Sequence, residues 1–501
     1  MKNSTELGEP SEFWDYFFQI SQIPHPSGCE NQIRDFIGHE SEKFGFKTII
    51  DKTGNLLVKI PSKGGTSKKP TIITIQSHMD MVCEKNEDVI HDFYKDPLKL
   101  KVIEINNEKW LTAEGTTLGA DNAVGMAFQL TLMKKIHNKE LDFGPLEFKL
   151  LFTVSEEAGM FGAVGIDKDL LKGKYLINLD SGGDDTITFG CAGGTLLEGL
   201  MKLKKIPLSE KENNFITLKL EIGGLIGGHS GVDIHRGRAN AIKLLSEILW
   251  KIDKEFQIHI NEIHGGSNSF NAIPREAYAI FFTKSDEQPK IQEFIQDTSS
   301  KVKELYEDIE PSINILLKKV KNHSDYTPMP LDVQKKVLNV LYLLPNGPIS
   351  FHPRTKDVNT SVNIGYIQTK KRGITFAAFQ RSSNEYDNKM LTERITTLLN
   401  LAGFKINNLG GSPSWKPNFN SKLLQISKAV YNELFHEEAK ISIIHGILEC
   451  SFFNNYFPNM EIIAIGPNGE GVHSPEERLK ISSISKVWKF LITLIHSVKD
   501  A

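Results

Sequence analysis

Thr71-Ile-Ile-Thr-Ile-Gln-Ser-His78-Met-Asp80 is the stretch from which the fold is read. Its β-branched residues alternate up to an abrupt His-x-Asp stop, the pattern of a strand that delivers both functional side chains to one face. Three more runs end in the same manner. Leu146-Glu-Phe-Lys-Leu-Leu-Phe-Thr-Val-Ser stops at the adjacent carboxylates Glu156 and Glu157, and Tyr175-Leu-Ile-Asn-Leu stops at Asp180. Glu461-Ile-Ile-Ala-Ile-Gly466-Pro467 leads through a loop to His473. A fifth segment, Leu118-Gly-Ala-Asp121-Asn-Ala-Val-Gly, places Asp121 at a helix start, with its carboxylate near the unpaired N–H groups of the first turn. Open α/β sheets hold their ligands beyond the carboxyl ends of their strands, where all five segments bring acids and imidazoles.

Two divalent ions about 3.5–4 Å apart need one bridging carboxylate, roughly two further ligands each, and room for water. Three carboxylates with two imidazoles meet that need. Imidazole suits zinc, and its mixture with carboxylates equally permits manganese or cobalt. One further carboxylate must stay off the metals to take a proton from water, and adjacent strand residues such as Glu156 and Glu157 point to opposite sides, which divides their tasks. Asp80, two residues after His78, is placed to accept the second imidazole N–H and fix its tautomer. Any one strand-end acid is ordinarily a cap or a solvated turn residue; it is their ordered recurrence that points to a metal site.

These motifs, with Ile23-Pro-His-Pro-Ser27, Gly190-Cys-Ala-Gly-Gly194, Gly227-Gly-His229-Ser-Gly-Val-Asp, Asn271-Ala-Ile-Pro-Arg275, Leu448-Glu-Cys450 and Gly466-Pro-Asn-Gly-Glu-Gly-Val-His473-Ser-Pro-Glu-Glu-Arg478, resemble the M20 metallopeptidases nearly end to end. The resemblance implies that His78 and Asp180 hold one metal, that Glu157 and His473 hold the other, and that Asp121 bridges them. It makes Glu156 the general base, Asp80 the orienter of the imidazole, and His229 the donor to the scissile oxyanion. Asn271 and Arg381 become candidates for gripping substrate, Arg381 by a bidentate clamp on a free C-terminal carboxylate. The implied activity is hydrolysis of dipeptides with a free N-terminus, Xaa-His among them, using two divalent ions per chain, zinc foremost. A related tripeptidase, aminopeptidase or N-acyl amino acid deacylase would use the same metals, and a metal-binding scaffold without catalysis is the rival of another class. The chain departs from the family pattern at Gly182-Gly183, Val358-Asn359 and His445-Gly-Ile-Leu, positions that bear on substrate preference rather than on metal chemistry.

The expected fold is α/β, a phosphorylase/hydrolase-like catalytic domain with a mixed sheet between helices, interrupted by an inserted α+β lid domain. Four ligand segments precede residue 181 and the fifth lies at 473, so the catalytic domain is discontinuous: residues 1–190 and 401–501, with 191–400 inserted. In family terms the insert is the lid and also makes a homodimer contact. Its passages 215–250 and 361–399 share a strand–helix grammar that hints at an internal duplication.

Composition excludes several classes. The 501 residues carry 59 basic and 62 acidic side chains, a net charge of -3 with dispersed lysines and no polyanion-binding signature, so nucleic acid is not an expected partner. No stretch approaches the ~20 apolar residues of a membrane helix, and the first ten residues lack a hydrophobic signal core. Cys29, Cys83, Cys191 and Cys450 show no paired spacing. A soluble cytoplasmic protein acting on small peptides is expected.

Overall fold

The computed structural model describes residues 4–63, 70–204, 214–267, 269–320 and 327–499. The chain divides into two compact units, one formed by Met1–Gly190, Trp415–Ser442 and Leu448–Ala501, the other by Cys191–Ser414 and Ile443–Ile447.

Among the described residues, the first unit is built on an eight-stranded sheet. Its order is Lys47–Ile50, Leu56–Ile60, Leu146–Thr153, Thr71–His78, Tyr175–Asn178, Glu461–Ala464, Thr186–Cys191 and Lys440–Ile444. The four strands that lead to the candidate ligands run parallel in adjacent positions, with Ile75 opposite Leu150 on one side and Ile177 on the other. A parallel strand covered on both faces is buried throughout, and Ile73, Thr74, Ile75 and Gln76 are all 0% exposed. Their shared direction brings His78, Glu156, Glu157, Asp180 and the loop to His473 to one edge of the sheet. The helix Ala120–His137 packs on Thr71–His78 and on the helix Ser11–Ser21. It is buried almost all round from Asn122 to Met133, as befits a sequence without a polar stripe.

Among the described residues, the second unit holds a nine-stranded, antiparallel-paired sheet. Its core joins Leu218, Leu220 and Ile222 to Ile242, Leu245 and Leu249 of the helix Ala241–Glu255. That helix begins where the Asn240 side chain accepts the amides of Ile242 and Lys243, a regular N-cap. Both passages with shared strand–helix grammar lie in this one sheet and its covering helices.

The chain leaves the second unit later than residue 401. The helix Glu385–Ala402 does stop at Gly403, whose positive φ closes it. The following Lys405–Ser412 then pairs antiparallel with Gly193–Lys202 as an edge strand, so the unit extends to Ser414. Its polar, glycine-bearing sequence carries no alternating strand signal because an edge strand need bury neither face.

Candidate metal centre

At the carboxyl edge of the first unit's sheet, three groups of donors each lie within 4.8 Å of one another: His78 with Asp121 and Asp180, Asp121 with Glu157 and His473, and His78 with Glu156 and Glu157. Asp121 is common to the first two. Its Oδ1 lies 2.8 Å from His78 Nε2 and its Oδ2 3.3 Å from His473 Nε2. Asp180 Oδ1 is 3.7 Å from His78 Nε2, and Glu157 Oε1 is 2.8 Å from His473 Nε2. The cluster therefore has one carboxylate in the middle and an acid–imidazole set on either side.

Asp121 reaches this position without capping a helix. It and Asn122 have non-helical dihedrals, so the regular helix starts beyond them, and the Asn122 side chain accepts the Gly125 amide at 2.8 Å. The amides of Leu118 and Gly119 instead bond the buried Glu477 carboxylate at 2.7 and 2.9 Å, with the Asp121 amide at 3.4 Å. Glu477 belongs to the motif of His473, yet nothing in its local sequence marks this partnership.

Glu156 and Glu157 also differ from the strand alternation expected of them. Their strand ends at Thr153, Ser155 takes a positive φ, and both glutamates lie in the turn that follows. Asp80 sets that turn. Fully buried, it accepts the Glu156 amide on Oδ1 at 2.9 Å and the Glu157 amide on Oδ2 at 3.1 Å, and the Ser27 hydroxyl donates to Oδ2 at 2.7 Å. The nearest acceptor for His78 Nδ1 is the backbone carbonyl of Asp80 at 2.9 Å, while the carboxylate stands at 3.4 Å. The side chain expected to orient the imidazole thus acts chiefly on the two glutamates.

Beneath the cluster, buried Glu449 accepts hydrogen bonds from Gln76 Nε2 at 2.5 Å and Thr153 Oγ1 at 2.7 Å. Burial pushes its carboxyl up to about 7. Leu448-Glu-Cys450 is visible as a motif, but no periodicity reveals that its acid turns inward.

The electrostatics are those of a site short of positive charge. Burial pushes Asp180 up to about 6, with the Asp121 charge adding to it. Glu156 rises well above the carboxylate range through desolvation and its like-charged neighbours Glu157, Asp180 and Glu449, against the opposing influence of His78. Glu157 is raised by burial and by Asp121, although its bond to His473 opposes the rise. Burial alone would lift Asp121 as well, but hydrogen bonds from His473 and His78 hold it far below the usual range. Burial alone would lower both imidazoles, yet His78 is raised well above its ordinary value by Asp180 and Asp121, and His473 to about 11 by Asp121 and Glu157. Among the described residues no lysine or arginine pairs with these four acids. Clustered carboxylates relieved only by imidazoles are the donor set that two divalent cations satisfy.

The remaining candidates lie in the second unit. His229 sits in the short strand Gly228–His229, opposite Ala272 in the Ala272–Ile273 strand. Its Nδ1 accepts the amides of Gly231 and Val232 at 3.3 and 3.1 Å, which assigns the ring proton to Nε2. Nε2 lies 3.4 Å from Arg381 Nη2, so two donors converge. Arg381 is 2% exposed and stacks 4.6 Å over the Phe379 ring; its Nε has no partner among the described residues, and burial pulls the guanidinium down to about 9. His445 is pressed down to about 3, mainly by burial and then by Arg381, and its Nε2 is 2.7 Å from the Ser361 hydroxyl. Asn271 is exposed, and its backbone carbonyl accepts the Ser230 amide at 2.7 Å.

This fold and donor set define an M20-type peptidase, and the chain belongs to peptidase family M20/M25/M40, which matches residues 74–497. It is 34% identical over 490 residues, 98% of each chain, to the cytosol non-specific dipeptidase of Escherichia coli (strain K12). The crystal structure of the aminoacylhistidine dipeptidase from Vibrio alginolyticus is similar over 97% of this chain and 96% of that one, at 33% identity and a TM-score of 0.82. A tripeptidase from Staphylococcus aureus shares the fold at 16% identity and a TM-score of 0.55, over 98% of both chains.

Proposed function

We propose that this protein is a dinuclear metal-dependent dipeptidase that cleaves dipeptides with a free N-terminus, Xaa-His among them. The observation that carries the reading is the unequal surroundings of two neighbouring acids. Glu157 faces His473 at 2.8 Å, whereas Glu156 makes no ion pair among the described residues and lies within 4.8 Å of His78 and Glu157 donors. These unequal surroundings support Glu157 as a ligand and Glu156 as the base. Near-complete coverage of two relatives named as dipeptidases supports the substrate class.

In this reading His78 and Asp180 would hold one ion and Glu157 and His473 the other, with Asp121 shared between them; zinc is the expected metal, with manganese or cobalt compatible. When bound, the pair supplies Lewis-acid polarisation of the peptide carbonyl, eases deprotonation of water and offsets the repulsion among the acids. Glu156 takes the proton of the attacking water and returns it to the leaving amine. Asp80, by holding the Glu156 and Glu157 amides, keeps base and ligand in register. His229 presents Nε2–H to the developing oxyanion, Arg381 clamps the substrate's terminal carboxylate, and Asn271 hydrogen-bonds its amide. The buried guanidinium supports the clamp, because a charge held out of water calls for an anionic partner.

The protein is further proposed to act as a homodimer through the second unit, and in the cytoplasm, a setting consistent with four cysteines that form no disulfide. Among the described residues no helix is long and apolar enough to cross a membrane. The central test is Glu156→Ala, which is expected to abolish dipeptide turnover while two metal ions per chain remain by elemental analysis. Loss of an ion together with activity would make Glu156 a ligand and overturn the assignment.

A further inference from the structure

A cavity of about 140 Å³ opens beside the acid–imidazole cluster, wholly within the first unit, and no step above uses it. Asp121 and Asp180 form part of its lining, so a peptide whose scissile carbonyl lies at the cluster has a side chain within reach of it. The rest is mainly apolar. Val124, Leu179 and Leu479 contribute walls that are 4%, 3% and 1% exposed, and Val472 stands at 45% exposure on the loop before His473. The charged groups that also line it are engaged elsewhere. Glu477 binds backbone amides, while Arg478 Nε bonds Glu470 at 2.9 Å and the guanidinium lies 5.4 Å over the Trp110 ring. Apolar cavities of roughly 150 Å³ accept a molecule the size of benzene, which sets the capacity here at about six carbons.

One wall includes a glycine with open space beside it. Gly182 lines the cavity and is exposed, and a Cβ built on it meets no atom within 4 Å. Its φ is outside the left-handed region, so the backbone there accepts any residue. The glycine is required by neither its conformation nor a close neighbour.

We propose that this cavity is the specificity pocket for one side chain of the dipeptide, favouring an apolar group up to the size of Leu, Met or Phe, and that Gly182 sets its capacity. The proposal rests on the dipeptidase reading above. An acidic side chain is disfavoured, because its carboxylate would lose water against Val124, Leu179 and Leu479.

The test uses the zinc-loaded full chain and dipeptides in which one position is varied through Gly, Ala, Leu, Phe and Asp while the other stays Gly, for each position in turn. At one position the wild type is expected to prefer Leu over Gly by at least about tenfold in kcat/KM, the range of discrimination an apolar pocket provides. Gly182→Val, which fills the open wall, should cut that ratio by about tenfold and weaken calorimetric binding of free L-leucine relative to glycine by a similar factor. Val472→Asn, at an exposed position that does not threaten folding, should cut it by about threefold, the loss of roughly one buried methylene. Equal Leu/Gly ratios in the wild type and both variants would overturn the pocket while leaving the dipeptidase reading intact. A wild type that cleaves no dipeptide would remove both.

Discussion

Replacing Asp80 with asparagine changes one atom of a buried carboxylate and leaves its shape intact. In the wild type that carboxylate accepts the Glu156 amide at 2.9 Å, the Glu157 amide at 3.1 Å and the Ser27 hydroxyl at 2.7 Å. An amide keeps one oxygen, so the orientation of least cost retains the two donors on the Oδ2 side and turns an NH₂ toward the Glu156 N–H. One charge-assisted hydrogen bond disappears, worth about 1.5–3 kcal/mol, and a buried backbone donor is left facing another donor. A total near 3 kcal/mol corresponds to a factor of about 150. Since the abandoned amide belongs to the proposed base, the expected result is a kcat about 100-fold lower, with KM changed less than fivefold, two metals retained and a folded state less stable by about 2–3 kcal/mol. Steady-state kinetics, elemental analysis and urea unfolding measure the three. Asp80→Asn with kcat within threefold of wild type and an unshifted unfolding midpoint would refute the idea that Asp80 positions Glu156.

Three other outcomes are expected. His229→Ala should lower kcat by about 10²–10³, the loss of one oxyanion donor, without changing metal content; a change confined to KM would assign it to substrate binding instead. Removing the metals with a chelator should abolish activity and lower the unfolding midpoint, and zinc restored to 100 times its Kd should return about 2.7 kcal/mol per site; an unchanged midpoint on removal would mean that the acids are not held together by cations. Glu449 tests the pH dependence of the metal-free protein. Its carboxyl is raised by burial from 4.5 to about 7, so protonated Glu449 favours the folded state below pH 4.5, and that contribution is lost as pH rises to 7. A rise of this size is worth about 3 kcal/mol. Glu449→Gln, whose amide oxygen can still accept from Gln76 and Thr153, should therefore gain about that much over wild type between pH 4.5 and pH 8 in urea unfolding, and an equal difference at both values would contradict it.

The strand-end acids were legible because parallel strands buried on both faces leave runs that are mostly apolar, and each run stops at an acid or an imidazole. Partnerships made by loops were not. Nothing local distinguishes the Asp80 carboxylate bonding the amides of residues 156 and 157 from its bonding the imidazole two residues away. Asp121 has the composition of a cap, yet the neighbouring Asn122 takes the amide and frees Asp121 for two imidazoles. Glu449 and Glu477 were visible as letters in motifs, but their inward turn depends on Gln76, Thr153 and the Leu118–Gly119 amides, which are hundreds of residues away in sequence. Strand direction came from periodicity and the expected division of labour from the resemblance, whereas the loop partnerships came from contacts that periodicity does not encode.

The position of Glu461–Ala464 in the sheet has a consequence for how the chain is made. This strand lies between Tyr175–Asn178 and Thr186–Cys191, near the middle of the eight. About 280 residues separate it from the strand it joins in parallel, and at 5–20 residues per second a ribosome takes roughly a quarter of a minute to a minute to supply them. Through that interval the nascent chain carries His78, Asp121, Glu157 and Asp180 beside an unfilled slot with two raw strand edges, and His473 is translated later still. Sealing of the sheet is therefore tied to the last stage of translation: the slot closes first and His473, the fifth proposed ligand, follows it, so a chain stalled before residue 461 has neither this strand nor the full set of proposed ligands.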